Sequence, residues 1–265
     1  MITNAGQILA DTSHTFFPPI SRLPDGPREA ISAAYLSMRA IDQIEDHQAL
    51  SPQEKVELLH GISLLLQGPF TSADVRGLFA DHAHALEEVT LRLHEWGALA
   101  PHDIAPRVCE TTATMAARMA HWAATRWEIL TETDLDRYTF SVAGAVGLLC
   151  SDLYGWFDGT TTHREHAVGF GRGLQAVNLL RNRAEDLARG VDFLPTGWGT
   201  ADLDQYARRN LPMGALYVGA LPAGAVRDSC EIPLDLAHAT LDALLRGEPK
   251  LTRTAVLAIA QRGNS

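Results

Sequence analysis

The chain has 265 residues, 46% of them hydrophobic, enough to bury a sizeable core. Its formal net charge of −10 excludes a nucleic-acid binder, which needs a basic face to neutralise phosphates, and argues against charge-driven adsorption to an anionic membrane. Cys109, Cys150 and Cys230 lie far apart, form no metal-ligand spacing and read as leftover thiols of a reducing compartment. The start, MITNAGQILADTS, lacks the basic opening and apolar core of a secretion signal. No uninterrupted apolar run approaches the ~18 residues of a membrane span. A soluble, cytoplasmic protein is expected.

Residues before Leu23 read as an irregular lead-in. Asp25-Gly26-Pro27 opens a first helix, with Pro where a helix start tolerates it. Ser51-Pro52-Gln53-Glu54 starts a second, which Gly68-Pro69 stops. Thr71-Ser72 predicts the cap of one long helix through Ala98. After Pro101 and Pro106, an Ala- and Met-rich core helix is expected from about Arg107 to Trp127, with Met115 and Met119 as adaptable packing. Asp134-Leu135-Asp136 leads into the nearly uncharged YTFSVAGAVGLLCSDLYGWF, whose Ser141, Gly144, Ala145 and Gly147 either permit close helix approach or leave room for a ligand. Gly169, Gly171 and Gly173 follow no strand, so the dinucleotide fingerprint fails and tight helix packing is expected instead. Helices from about Ala201 and from Pro212 come next, then a long one after Ile232-Pro233 and a short terminal one carrying Lys250 and Arg253. No strand pattern or repeat is convincing. The reading is a single all-α domain over 1–265.

The chemistry concentrates in two stretches. In YLSMRAIDQIEDH, helical spacing puts Tyr35, Arg39, Asp42 and Asp46 on one stripe with Glu45 at its edge, while Leu36, Met38, Ile41 and Ile44 take other faces. Solvated helices carry acids at this spacing too. Carboxylates among Leu, Ile and Ala, however, cost several kcal/mol each unless a cation joins them, and a hard divalent ion is the simplest candidate. In GLQAVNLLRNRAEDLARG, Gln175, Asn178, Asn182, Asp186 and Arg189 share a stripe flanked by Arg181 and Glu185, with Leu174, Val177, Leu180 and Leu187 expected to pack. Arginines beside the acids would repel a bare metal. They make sense once a diphosphate completes the assembly.

These residues resemble the squalene/phytoene synthase family of prenyl-diphosphate enzymes, over nearly the whole chain. The pieces come in the family's order: SHTF at Ser13–Phe16, Tyr35 and Arg39 with DQIED, DLDRYTFSVAGAVG, LQAVNLLRNRAEDLARG with Phe193-Leu194-Pro195, CEIP at Cys230–Pro233 and PKLTR at Pro249–Arg253. The resemblance implies an isoprenoid synthase helix bundle around a deep apolar cavity, and head-to-head joining of two prenyl diphosphates (farnesyl or geranylgeranyl) with Mg²⁺. It implies Asp42, Glu45, Asp46, Asn178, Asn182 and Asp186 as metal ligands, and Arg39, Arg181, Arg189, Gln175, Lys250 and Arg253 as diphosphate contacts. Tyr138, with Tyr35 and Arg39, would assist ionisation or proton transfer.

Five departures bear on the reaction. Asn182 stands where the second motif normally begins with Asp, Val191 replaces an Arg expected two residues after Arg189, and His14 replaces an Arg in the first motif. Ser229 and Leu234 leave the FCxIPQ-like context of the NADPH-using members, which argues against that cofactor. Head-to-head condensation stands first. A terpene synthase of the same fold, ionising and cyclising one prenyl diphosphate, stands second, because Asn178, Asn182 and Asp186 recur every four residues as in class I cyclase metal triads. A non-catalytic lipid-binding relative stands third. The prenyl diphosphate is the expected partner of a monomer or homodimer, without nucleic acid or transmembrane segment, and peripheral membrane contact stays open.

Overall fold

The computed structural model describes residues 4–13 and 16–262. In chain order the helices are α1 Ala5–Thr12, α2 Phe17–Ser21, α3 Pro27–Asp46, α4 Pro52–Leu66, α5 Ser72–Leu78, α6 Glu88–Leu91, α7 Leu93–Gly97 and α8 Ala105–Ala124. They continue with α9 Glu132–Thr139, α10 Ala145–Asp158, α11 Arg164–Ala188, α12 Thr200–Ala220, α13 Ala225–Leu245 and α14 Arg253–Arg262. A single π-helical turn, Phe140–Gly144, joins α9 to α10 without a break. Among the described residues there is no strand. The helices sort into two compact units, residues 4–13 with 25–127, and residues 16–24 with 128–262.

In the first unit, α3 packs on α4, α6, α7 and α8, and α4 lies along α8. Leu36, Ile41, Ile44, Leu59, Ile62, Leu93, Trp96, Met115 and Met119 form its interior. Ser51 caps α4 by accepting from the Glu54 amide while Glu54 returns to the Ser51 amide, the reciprocal box that its sequence predicts. One prediction fails here. The stretch from Thr71 to Ala98 is not one helix but α5, a run of turns, and the short α6 and α7. Phe79, Leu86, Val89, Leu93 and Trp96 keep a helix-like spacing and are all buried. The competing interaction is local: the Trp96 indole donates to the Val89 carbonyl at 2.7 Å, and Arg92 leaves helical geometry at φ −102°, ψ 17°. A buried indole needs an acceptor, and here it takes a backbone carbonyl that a continuous helix would use.

In the second unit, α11 is the central helix, packed on α12, α10, α13 and the π turn. Its glycines set the approach. A Cβ built on Gly171 would stand 2.3 Å from the Ala143 carbonyl oxygen, and one on Gly173 2.9 Å from Leu211. Gly147 of α10 is equally close, 2.2 Å from the Ala167 oxygen. The glycine string is therefore helix packing, as expected. Two predicted boundaries move. Pro212 and Pro233 lie inside α12 and α13 and do not open helices. Pro212 and Arg208, whose carbonyl loses its helical donor to the proline, are both exposed residues on the outer side of α12. Around Pro233, burial of Ile232, Leu234 and Leu236 carries α13 through. Lys250 precedes α14, which starts at Arg253. Leu187, expected in the packing, is 47% exposed.

The continuous helix over Glu132–Asp158 is long and apolar enough, by length and composition, to cross a bilayer, which corrects the expectation that no stretch approaches one. Leu135, Tyr138, Thr139, Leu149, Leu153 and Tyr154 of this helix are buried within its unit.

Candidate functional site

The first acidic stretch occupies the C-terminal end of α3. Ile41 and Ile44 are fully buried and anchor this end, so the polar residues are held beside apolar packing. Tyr35 donates its hydroxyl to the Thr12 carbonyl at 3.3 Å, which ties the stripe to the end of α1 just before the SHTF stretch. Ser13 of that stretch is buried, while His14 and Thr15 lie outside the described residues. Burial pushes the Tyr35 hydroxyl above its ordinary value, against the pull of Ser13 and Arg39. Asp42 is half-buried. Desolvation drives its carboxyl up to about 7, Arg39 opposes the shift and Asp46 adds to it. Glu45 is 5% exposed and Asp46 is exposed. The sequence thus places Tyr35, Arg39, Asp42 and Asp46 correctly on one electrostatically coupled stripe. The Arg39 Nε is buried without a hydrogen-bond partner.

The second stretch occupies the C-terminal half of α11, and its residues pair with one another. Arg181 donates to Asn178 Oδ1 at 2.7 Å and to Asn182 Oδ1 at 3.1 Å, and Asn182 Nδ2 donates to Asn178 Oδ1 at 3.2 Å. Arg189 donates twice to Asp186 Oδ1, at 3.0 and 3.2 Å, and lies 5.8 Å over the Phe193 ring. Phe193 stacks on Tyr138 at 4.7 Å. Tyr138 is therefore linked through two aromatic contacts to the Asp186 end of α11, although 48 positions separate them in sequence (186 minus 138). Lys250 reaches Glu185 at 2.8 Å and holds its carboxyl below the ordinary value. Gln175 is half-buried one turn before Asn178, and Arg253 is exposed at the start of α14. Val191 donates its amide to the Asp186 carbonyl at 3.0 Å, so it terminates the helix and offers a phosphate nothing from its side chain.

Sequence reasoning overlooked the support beneath Tyr138. Tyr206 donates to Asp136 Oδ1 at 2.7 Å and meets the Thr139 hydroxyl at 3.1 Å, and Arg172 lies 3.7 Å from the same carboxylate. These contacts fix the turn on either side of Tyr138. Residue spacing carries no trace of a contact between positions 136 and 206. Sequence reasoning also passed over Lys55, whose signal was rarity: Lys55 and Lys250 are the two lysines among 22 basic residues.

The donor set suits Mg²⁺, which prefers oxygen, few carboxylates, and water or phosphate for the remaining positions. Each helix offers only oxygen ligands, and the desolvated Asp42 carboxyl would gain from a cation. Among the described residues no three His, Cys, Asp or Glu side chains converge on a preformed cage. On α11, Arg181 and Arg189 now hold the candidate oxygens.

A squalene/phytoene synthase family model matches residues 9–206. The chain belongs to the squalene/phytoene synthase family. This family member is 29% identical to the squalene synthase of Eremothecium gossypii over 94% of its own length and 63% of that protein. It is 28% identical to the squalene synthase of Rattus norvegicus over 89% of its length and 62% of that protein. The chain spans about three fifths of the length of the curated relatives it matches. Among solved structures, the complex of TcSQS with the ligand E5700 superposes with a TM-score of 0.80 at 21% identity, over 99% of this chain and 85% of that one. A dehydrosqualene synthase with ligand superposes with a TM-score of 0.66 at 15% identity, over 99% and 95%. The all-α fold is shared with these enzymes.

Proposed function

We propose that this chain condenses two prenyl diphosphates head to head in a Mg²⁺-dependent reaction that releases diphosphate. The observation that carries the reading is the pairing of oxygen ligands with arginines at the ends of two family-matched helices, Asp42, Glu45 and Asp46 with Arg39, and Asn178, Asn182 and Asp186 with Arg181 and Arg189. Bound Mg²⁺ would supply the charge that draws electrons toward a departing diphosphate. Arg39, Arg181, Arg189, Gln175, Lys250 and Arg253 would orient the diphosphate oxygens and stabilise their developing charge. Tyr138, buried and braced by Phe193, would hold or pass a proton near the reacting carbons.

Two departures favour a second reading. The neutral Asn182 lowers the charge of one metal set, and Val191 removes a phosphate cation, as in a site serving one substrate and producing a cyclised terpene. NADPH use is not part of the proposal, because Ser229 and Leu234 leave the reductive context. A cytoplasmic setting remains our reading of the composition. The test is incubation of purified protein with Mg²⁺ and farnesyl or geranylgeranyl diphosphate, with diphosphate release measured against a metal-chelated control. Release that persists in chelator would rule out the metal reading.

A further inference from the structure

The last acids of α3 sit where a helix tolerates them least. Glu45 and Asp46 occupy its last turn, which contains no basic residue and carries the negative end of the helix dipole. The carbonyls of that turn also lack intrahelical donors. Lys55 has the converse problem. It is at the fourth position of α4, near the positive end of its own helix, and is only 8% exposed. The two misplacements answer each other: the Lys55 ammonium donates to the Glu45 main-chain carbonyl and caps the end of α3 from outside.

The same ammonium lies over the Trp127 ring, 5.0 Å from its centroid. That ring is buried, and it is placed by unusual backbone. Arg126 and Trp127 are both left-handed, at φ +54° and +53°, and the Trp127 amide reaches back to the Trp122 carbonyl at 2.8 Å. Successive left-handed residues with bulky side chains persist only where their surroundings over-determine them. The second acidic stretch has a parallel device. The last turn of α11 also lacks a basic residue, and the other lysine of the chain, Lys250, pairs with Glu185 immediately before Asp186. A chain that uses arginine for every other basic position places both lysines on the glutamate next to a motif's last aspartate.

We propose that Lys55 is a positioning residue: with Trp127 behind it, the ammonium locks the last turn of α3 so that Asp42 and Asp46 present their carboxylates to a divalent cation. The inference rests on the metal reading given above and adds to it a fixed monovalent charge that organises the ligands without touching substrate. A compact ammonium can cap one carbonyl from a confined site, whereas the forked guanidinium would pair with the carboxylates themselves and withdraw them from the metal.

Wild type, Lys55→Met and Lys55→Gln separate this role from mere packing or repulsion. Amide hydrogen exchange of the metal-free proteins reads the last turn of α3 directly. Calorimetric titration with Mg²⁺ in the presence of inorganic pyrophosphate reads the ligands. Lys55→Met should lose protection over residues 42–47 while α12 stays protected, and its Mg²⁺ midpoint should rise about tenfold or more, the usual cost of removing a support of metal ligands. Lys55→Gln, which keeps a donor for the carbonyl without the charge, should recover part of the protection. Mg²⁺ bound as tightly as in wild type, or more tightly because a repulsive charge is gone, overturns the proposal, as does an unchanged exchange profile. Should Lys55→Met lose its helical signal, a wild-type midpoint in Lys55→Gln overturns it equally. A wild type that takes up no Mg²⁺ sinks the metal reading and this inference together, whereas uptake insensitive to both variants sinks this inference alone.

Discussion

Asp42 links the chemistry of this chain to its stability. Its carboxyl is raised to about 7 in the metal-free fold, chiefly by burial, while in the unfolded chain it titrates near 4. The folded form therefore holds the proton more tightly, and this group's contribution to stability falls as pH rises from about 4 to about 7. Asp42→Asn should remove that slope and stabilise the chelated protein above pH 7 by roughly 2 kcal/mol, about half of what three pKa units carry, because the side chain keeps some solvent access. Denaturant midpoints at pH 5 and pH 8 in EDTA check it, and a variant less stable than wild type at pH 8 would contradict it. The same variant should release no diphosphate. Tyr138→Phe keeps the ring stacked on Phe193 and removes only the hydroxyl. It should melt within about 2 °C of wild type yet turn over at least tenfold more slowly. Equal rate and equal products would reduce Tyr138 to packing. Asp42, Asp46 and Arg39 were legible in the sequence because helical period alone puts them together. Asp136, Tyr206 and Lys55 were not, because their partners come from helices elsewhere in the chain.

At the scale of helices, the second unit depends on backbone reaching backbone. Gly171→Ala sets a methyl 2.3 Å from the Ala143 carbonyl oxygen, which cannot swing aside as a side chain would. It should destabilise by about 1–3 kcal/mol or more and lower the melting temperature by several degrees. Gly219, in α12 with nothing within 4 Å of its would-be Cβ, is the internal control. Gly219→Ala should stabilise by up to about 1 kcal/mol through helix propensity. Equal effects in the two variants would mean that α11 does not approach the π turn so closely. The glycine string shows what composition reveals: small residues at helical spacing announce close packing. The broken stretch from Thr71 to Ala98 shows the reverse, since its apolar spacing is helical although turns follow α5 and the Trp96–Val89 hydrogen bond accompanies the break between α6 and α7. Pro212 and Pro233 misled for a related reason, because packing of the flanking helical turns carries α12 and α13 through a residue that locally disfavours a helix.

Over the whole molecule, the family was legible because six short motifs kept their order, and the match to residues 9–206 and the fold agree with it. The number of substrates was not legible, because Asn182 and Val191 alter the charge of the second motif without stating what replaced it. Charge is also what decides the reaction: two diphosphates ask for more cations than one. The most direct measurement is the carbon count of the hydrocarbon formed from farnesyl diphosphate alone with Mg²⁺, read by mass spectrometry. Head-to-head condensation predicts a product with twice the carbons of the farnesyl chain. A product that keeps the farnesyl carbon count would contradict it and make this family member a cyclase.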